Sequence, residues 1–359
     1  MQPLAGIRIL EFDGLGPVTF AGMMLADLGA EVLRLTRSAS AGPAVFDQVG
    51  GAVLHRNRAA VPVDLKAPVD RDRILALAAD ADAVIEGFRP GVMERLGYGP
   101  EALRALNPRL VFGRVTGWGQ DGPLAAQVGH DLNYIGLSGV LHAMGPADRP
   151  PAPPLNLVGD YGGGAMLLVV GVLAALVEAR STGRGRVVDA AMTDGAALLG
   201  GLFHALRVQG LWSDRRGANL LDGGAPFYRC YACRDGGFVA VAALEPRFYA
   251  ALLAGLEIDP AEAPQYDFAA WPALAARLEG LFLSRDRDDW VAGFADTEAC
   301  VTPVLSLAEA PTHPHNQARG AFWDGLPAPA PRFDGPPAPQ RDIADLSLDA
   351  AVAAWSVPG

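Results

Sequence analysis

Along the first 120 residues, apolar and polar positions alternate between two periods. GIRILEF (6–12) reads as a buried strand, whereas AGMMLADLGA (21–30) repeats its apolar residues at i, i+3 and i+4 and reads as a helix. EVLRLT (31–36), VPVDL (61–65), AVIEGF (83–88) and LVFGRVTG (110–117) read as further strands, with helices near 68–80 and 100–106 between them. Strands and helices in alternation imply parallel pairing through crossover helices. The expected fold class is therefore α/β, with a Rossmann-like large domain.

The pattern continues beyond that point and then changes. A glycine-rich start, DYGGG from Asp160, leads into AMLLVVGVLAALVEA, a long apolar helix. RVVDAAM (186–192) reads as a strand and TDGAALLGGLFHALRVQG (193–210) as one helix. LWSDRRGANLLDGGAP (211–226) has turn chemistry and little periodicity. FYRCYACRDGGFVAVAAL (227–244) then predicts a hairpin turning at residues 234–237, followed by helices to about residue 297. Residues 311–340 are rich in proline and alanine and read as an extended arm, with a short helix in LSLDAAVAAW (346–355). The expected organisation is a large domain over 1–210, a linker over 211–226, a small α+β domain over 227–310, and a C-terminal arm over 311–359 returning to the large domain.

Composition narrows what such a chain does. At 359 residues it is long enough for two domains, and half its residues are apolar. The apolar run 162–177 stops at Glu178, short of the ~20 residues a membrane span needs. The opening MQPLAGIRILEFDG lacks the basic flank and apolar core of a secretory signal. Three cysteines, Cys230, Cys233 and Cys300, do not make a disulfide framework, so a cytoplasmic setting is expected. Net charge is −11, but it is unevenly spread: the first 120 residues hold 13 basic and 13 acidic side chains, the remainder 16 and 27. Nucleic acid is excluded as a partner by that balance. The charge-balanced first third still suits a compact polyanion.

Several groups are candidates for chemistry. CYAC (230–233) has half a metal site's spacing but no matching second pair, and HPH (313–315) lies in the proline-rich arm, so no metal is expected. The loop DGLGPVTFAG lacks a complete G-x-G-x-x-G, which weakens a nicotinamide-linked oxidoreductase. His130 alone fits a hydrogen-bonded interior histidine. Gly129, Asp131, Asn133 and Tyr134 change that reading, because buried polar groups without partners cost about 1–3 kcal/mol each and need a local purpose. Asp160 fits a helix N-cap, or a carboxylate beside a site where backbone N–H groups hold a developing oxyanion.

Six stretches carry a resemblance: GPVTFAGMMLADLGAEVLRL, EGFRPGVMERLG, VTGWGQDGP, GHDLNY, PPLNLVGDYGGG and RGANLLDGGAPFY. Together they resemble the α-methylacyl-CoA racemase family of the family III CoA-transferase superfamily, from residue 3 to about residue 333. The histidine of GHDLNY separates the racemase branch from the transferases. The opening loop GPVTFAG departs from the family, which carries a second Gly-Pro pair there, and leaves the acyl-tail preference open.

The resemblance implies an interlocked homodimer that inverts 2-methylacyl-CoA thioesters through an enolate, without a resident cofactor, since coenzyme A belongs to the substrate. Such a carbon acid needs two poised acid/base groups and stabilisation of the oxyanion. The implied pair is His130 and Asp160, in apolar stretches expected to disfavour their charged forms. The backbone N–H of Asp160 is the expected enolate donor. Glu245 in ALEPRFYAAL is implied to orient His130 from the other subunit, although a helix N-terminal acid is an equally good electrostatic reading. Asn156 is implied to support Asp160. The implied coenzyme A contacts are Arg37, Val63, Asp64, Leu65, Lys66, Gly87, Phe88, Arg89, Arg95, and Gly129, His130, Asp131, Leu132, Asn133 and Tyr134. Two alternatives compete: a CoA-transferase with Asp160 as nucleophile, and a non-catalytic acyl-CoA-binding dimer.

Overall fold

A computed structural model describes residues 2–37, 50–334, 340–341 and 343–356. The chain divides into two compact units, Met1–Val140 with Pro154–Gly201 and Pro327–Gly359, and Leu141–Pro153 with Leu202–Leu326. Set beside the expected domains, residues 141–153 group with the second unit and the first unit regains the chain only from Pro327.

In the first unit six strands form one parallel sheet: β1 (Arg8–Phe12), β2 (Glu31–Arg37), β3 (Ala59–Val63), β4 (Ala83–Glu86), β5 (Val111–Thr116) and β6 (Val187–Ala191). Their order is β3-β2-β1-β4-β5-β6, so the α/β expectation holds, with the strand order reversing between β1 and β4. Period-two alternation sends successive side chains to opposite faces. Ile9, Ile85, Val111 and Val115 join one core, while Leu10, Phe12, Val84 and Phe112 join the other.

The first face is covered by α1 (Pro17–Asp27) and by a long helix, the second by α2 (Pro68–Asp80), α3 (Pro100–Leu106) and the C-terminal helix Leu348–Trp355. Each of α1, α2 and α3 opens on proline, whose fixed φ and missing N–H suit a first helical position. Trp355 is fully buried, and its carbonyl accepts from Arg8 Nη1 at 2.7 Å, which ties the end of the chain to β1.

α4 (Asp131–Leu137) precedes α5 (Leu157–Thr182), the long helix. The first ten residues of α5, Leu157–Met166, are wound as a π-helix, with Tyr161 N–H donating to Asn156 O at 3.3 Å. By length and composition α5 is able to cross a membrane, but Leu168, Val172, Ala175 and Ala179 on one side of it are buried against β5 and its neighbours, as in a core helix. The segment expected as one helix over 193–210 is two, α6 (Met192–Leu199) and α7 (Gly201–Val208), broken at Gly200. Near the start of α6, Gly195 lies so close to the Gly163 carbonyl that any side chain would overlap it, which lets α6 pack directly on the π-wound turn.

The second unit contains β7 (Tyr228–Ala232) and β8 (Phe238–Ala242), the expected hairpin, plus β9 (Val301–Val304), which adds antiparallel to β8. β9 escaped the sequence reading because VTPV is short and contains Pro303, a residue tolerated only at a sheet edge. α8 (Pro246–Gly255), α9 (Trp271–Phe282) and α10 (Arg287–Gly293) pack with the sheet around Phe227, Tyr231, Trp271 and Phe282. Cys230 is exposed and Cys233 buried, and among the described residues no His, Cys, Asp or Glu cluster is able to hold a metal. The expected extended arm is partly folded: Pro314–Ala318 is a short helix capped by His313, and Phe322–Trp323 pairs with Leu326–Pro327.

Candidate active site

α4 starts at His130, whose extended backbone (φ −133°, ψ 174°) makes it the N-cap residue. Its N–H donates to Asn133 Oδ1 at 3.0 Å, and Asn133 N–H returns to His130 O at 2.8 Å. The exchange fixes the backbone of His130 while the residue itself is exposed, not enclosed by apolar neighbours as expected. One turn on, buried Tyr134 donates its hydroxyl to Gly129 O and stands edge-on to Trp118, ring centroids 4.8 Å apart. Gly129, Asn133 and Tyr134 of GHDLNY thus set the first turn of α4.

Asp131 turns inward. It is 7% exposed, and its Oδ2 accepts the N–H groups of both Gly159 and Asp160 at 2.7 Å. The Asp160 N–H, expected to serve the enolate oxygen, is engaged by the Asp131 carboxylate. Asp160 is also not a helix N-cap. Asn156 precedes the π-wound turn and Asp160 lies within it, half-buried, with its Oδ2 accepting from Asn156 Nδ2 at 3.3 Å. The residue before Asn156, Leu155, holds φ at +60°, a costly conformation for a bulky side chain and of the kind that gathers at functional sites.

Burial is the main cause that pushes the Asp160 carboxyl above the ordinary aspartate range. The Asn156 hydrogen bond pulls it down, the negative charge of Asp131 pushes it up, and nearby His130 pulls it down. From the β1 loop, Gly16 (φ +68°) comes so near that a methyl group there would sit 3.1 Å from Asp160 Oδ2. His130 and Asp160 are therefore brought within electrostatic reach by two segments whose relation the local sequence does not reveal.

The expected coenzyme A contacts outside GHDLNY lie at the carboxyl ends of β2, β3 and β4. Arg37 ends β2 and is the register partner of Val63, which ends β3. Asp64, Leu65 and Lys66 form the turn that follows, with Lys66 N–H donating to Asp64 Oδ1 at 2.9 Å. Gly87, Phe88 and Arg89 follow β4, and Arg95 lies on the short helix Val92–Leu96. Arg37, Lys66, Arg89 and Arg95 are all exposed. Arg89 is near enough to Tyr134 to act on its phenol, whose pKa burial raises. Glu245 lies in the second unit as the N-cap of α8, exposed, with a carboxylate that makes no capping hydrogen bond.

Sequence reasoning missed the parts played by Gly16 and by Asp131 as a holder of backbone.

Sheet order and placement define the class: an α/β protein with a doubly wound parallel sheet, exposed cations beyond the carboxyl ends of β2, β3 and β4, and an imidazole and a carboxyl within electrostatic reach of each other. CoA-transferase family III matches residues 4–338, and the chain belongs to that family, as its motifs led us to expect. Over 331 residues it is 43% identical to alpha-methylacyl-CoA racemase of Mus musculus, covering 92% of this chain and 85% of the mouse protein. The Homo sapiens racemase is 40% identical over 341 residues, covering 93% and 87%. Among solved structures, a CAIB/BAIF family protein from Brucella suis is similar with a TM-score of 0.79 at 27% identity, over 98% of both chains.

Proposed function

We propose that this chain is an isomerase that interconverts (2R)- and (2S)-2-methylacyl-CoA thioesters in the cytosol. In one direction the Asp160 carboxylate takes the C2 proton, leaving a planar enolate, and the His130 imidazolium returns a proton to the opposite face. The reverse reaction exchanges the roles. Both transfers use side chains of the chain itself, so the reading needs no resident cofactor, and coenzyme A enters as part of the substrate. The carrying observation is a half-buried carboxyl, raised in pKa by burial, within electrostatic reach of an exposed imidazole. A carboxyl shifted toward neutral pH serves as base in one direction and acid in the other. The racemase relatives, alike over more than nine-tenths of the chain, support the same reading.

The proposed working unit is a homodimer in which Glu245 of the partner subunit orients His130. The uncapped Glu245 carboxylate supports this, as do exposed Val170, Val177 and Leu198 on the first unit, apolar surface that a partner would cover. The arginines and lysine at the carboxyl edge suit the phosphates of coenzyme A, guanidinium forks matching phosphate oxygens.

Incubating the protein with one enantiomer of a 2-methylacyl-CoA in heavy water tests the reading. Deuterium at C2 with loss of optical purity is expected. Passage of CoA to an added carboxylate without exchange would instead make Asp160 the nucleophile of a CoA-transferase. CoA binding with neither reaction would leave a non-catalytic binding dimer.

A further inference from the structure

Behind the loop that carries Phe88 and Arg89 lies a charge network, buried at Glu86 and Arg114 and reaching exposed Glu94, that the proton transfer does not use. Glu86, the last residue of β4, is fully buried and is the register partner of Arg114 on β5. Arg114, 5% exposed, donates from Nε to Glu86 Oε1 at 2.9 Å. The second oxygen, Glu86 Oε2, accepts the N–H of Phe88 at 2.7 Å. The far end of the same guanidinium reaches Glu94 Oε1 at 2.9 Å, and Glu94 neighbours Arg95 on the short helix Val92–Leu96. One arginine therefore braces both ends of the segment 87–95 against the sheet.

Stability alone is a poor reason for this arrangement. Apolar residues of similar volume often replace a buried ion pair such as Glu86–Arg114 with no loss. The charges do supply direction: the planar fork of Arg114 fixes two carboxylates at once, and Glu86 in turn fixes a loop N–H. That loop opens beside the point where strand order reverses, where ligands of doubly wound sheets bind. Its free face presents exposed Arg89 and Arg95.

We propose that Glu86, Arg114 and Glu94 form a positioning clamp that holds segment 87–95 in the shape that receives the phosphate-bearing nucleotide end of a CoA thioester. The inference rests on the acyl-CoA reading above and assigns the clamp to substrate affinity, not to proton transfer. Arg114 touches no reacting atom, and its effect passes through Glu86 and Glu94.

The test compares Arg114→Met with the wild-type protein on two substrates, a 2-methylacyl-CoA and the matching 2-methylacyl-pantetheine thioester, which lacks the nucleotide end. For the CoA ester, KM is expected to rise by about tenfold or more while kcat stays within about threefold, and for the pantetheine ester both constants are expected to stay within about twofold. Equal losses on both esters, or no change on either, overturn the clamp. Should Arg114→Met fail to fold by circular dichroism, Arg114→Lys is measured instead; it keeps the charge but lacks the fork, and the same nucleotide-dependent split is expected. Calorimetric titration with free CoA separates the two readings. A wild-type protein that binds CoA but exchanges no C2 proton sinks the racemase reading alone, and the clamp is then judged on whether Arg114→Met weakens that binding. A wild-type protein that does not bind CoA overturns the clamp as well.

Discussion

The Asp131 carboxylate holds Asp160 from behind: a single oxygen, Oδ2, accepts the backbone N–H of Asp160 and that of Gly159, both at 2.7 Å. Asp131 immediately follows His130, so the two proposed acid/base groups are linked through one side chain and two hydrogen bonds. The same carboxylate puts a negative charge near Asp160, favouring its protonated form.

Asp131→Asn removes that charge. Since the charge raises the Asp160 pKa, its loss lowers it, and the acidic limb of the pH–kcat profile is expected to move to lower pH. The limb should move alike in both directions of the reaction, because both share one singly protonated His130–Asp160 pair. An unmoved limb would detach Asp131 from the chemistry.

Asn156→Ala acts with the opposite sign. The Asn156 amide stabilises the Asp160 carboxylate, so its removal raises the Asp160 pKa further. The acidic limb is then expected to move to higher pH, and activity at mildly acidic pH to fall more than activity at the optimum. The two variants, profiled side by side, form a signed pair.

His130→Ala and Asp160→Ala are each expected to lower C2 deuterium exchange by about 10²–10⁴-fold, the usual worth of a positioned acid/base group. Affinity for the CoA ester should stay within about tenfold, or ~1.4 kcal/mol. Substantial exchange in both variants would mean that other groups move the proton.

Gly16→Ala probes the close approach of the β1 loop to Asp160. An L-residue at φ +68°, ψ −115°, a region few side chains adopt, costs roughly 1–3 kcal/mol, and the new methyl would meet Asp160 Oδ2 at 3.1 Å. A lower Tm is expected, together with a fall in kcat of about tenfold as the carboxylate is displaced. A variant that loses Tm but keeps kcat would confine Gly16 to stability.

Much of this molecule was written into its amino-acid order. Although α1 begins at Pro17, four residues before the helix read at 21–30, the buried strands, the helices near 68–80 and 100–106, and the hairpin at 227–244 all follow from periodicity and turn chemistry, which are local properties. So did family membership and the naming of His130 and Asp160 as groups in need of a purpose. Tertiary structure decided which backbone groups were already taken. The Asp160 N–H looked available because a sequence cannot say that Asp131, 29 residues earlier, folds over it. The bracing of residues 87–95 by Arg114 likewise depends on the parallel register that sets Glu86 beside Arg114. Hydrogen bonds between distant segments depend on distances of a few tenths of an ångström, and only the packed sheet and its helices fix those.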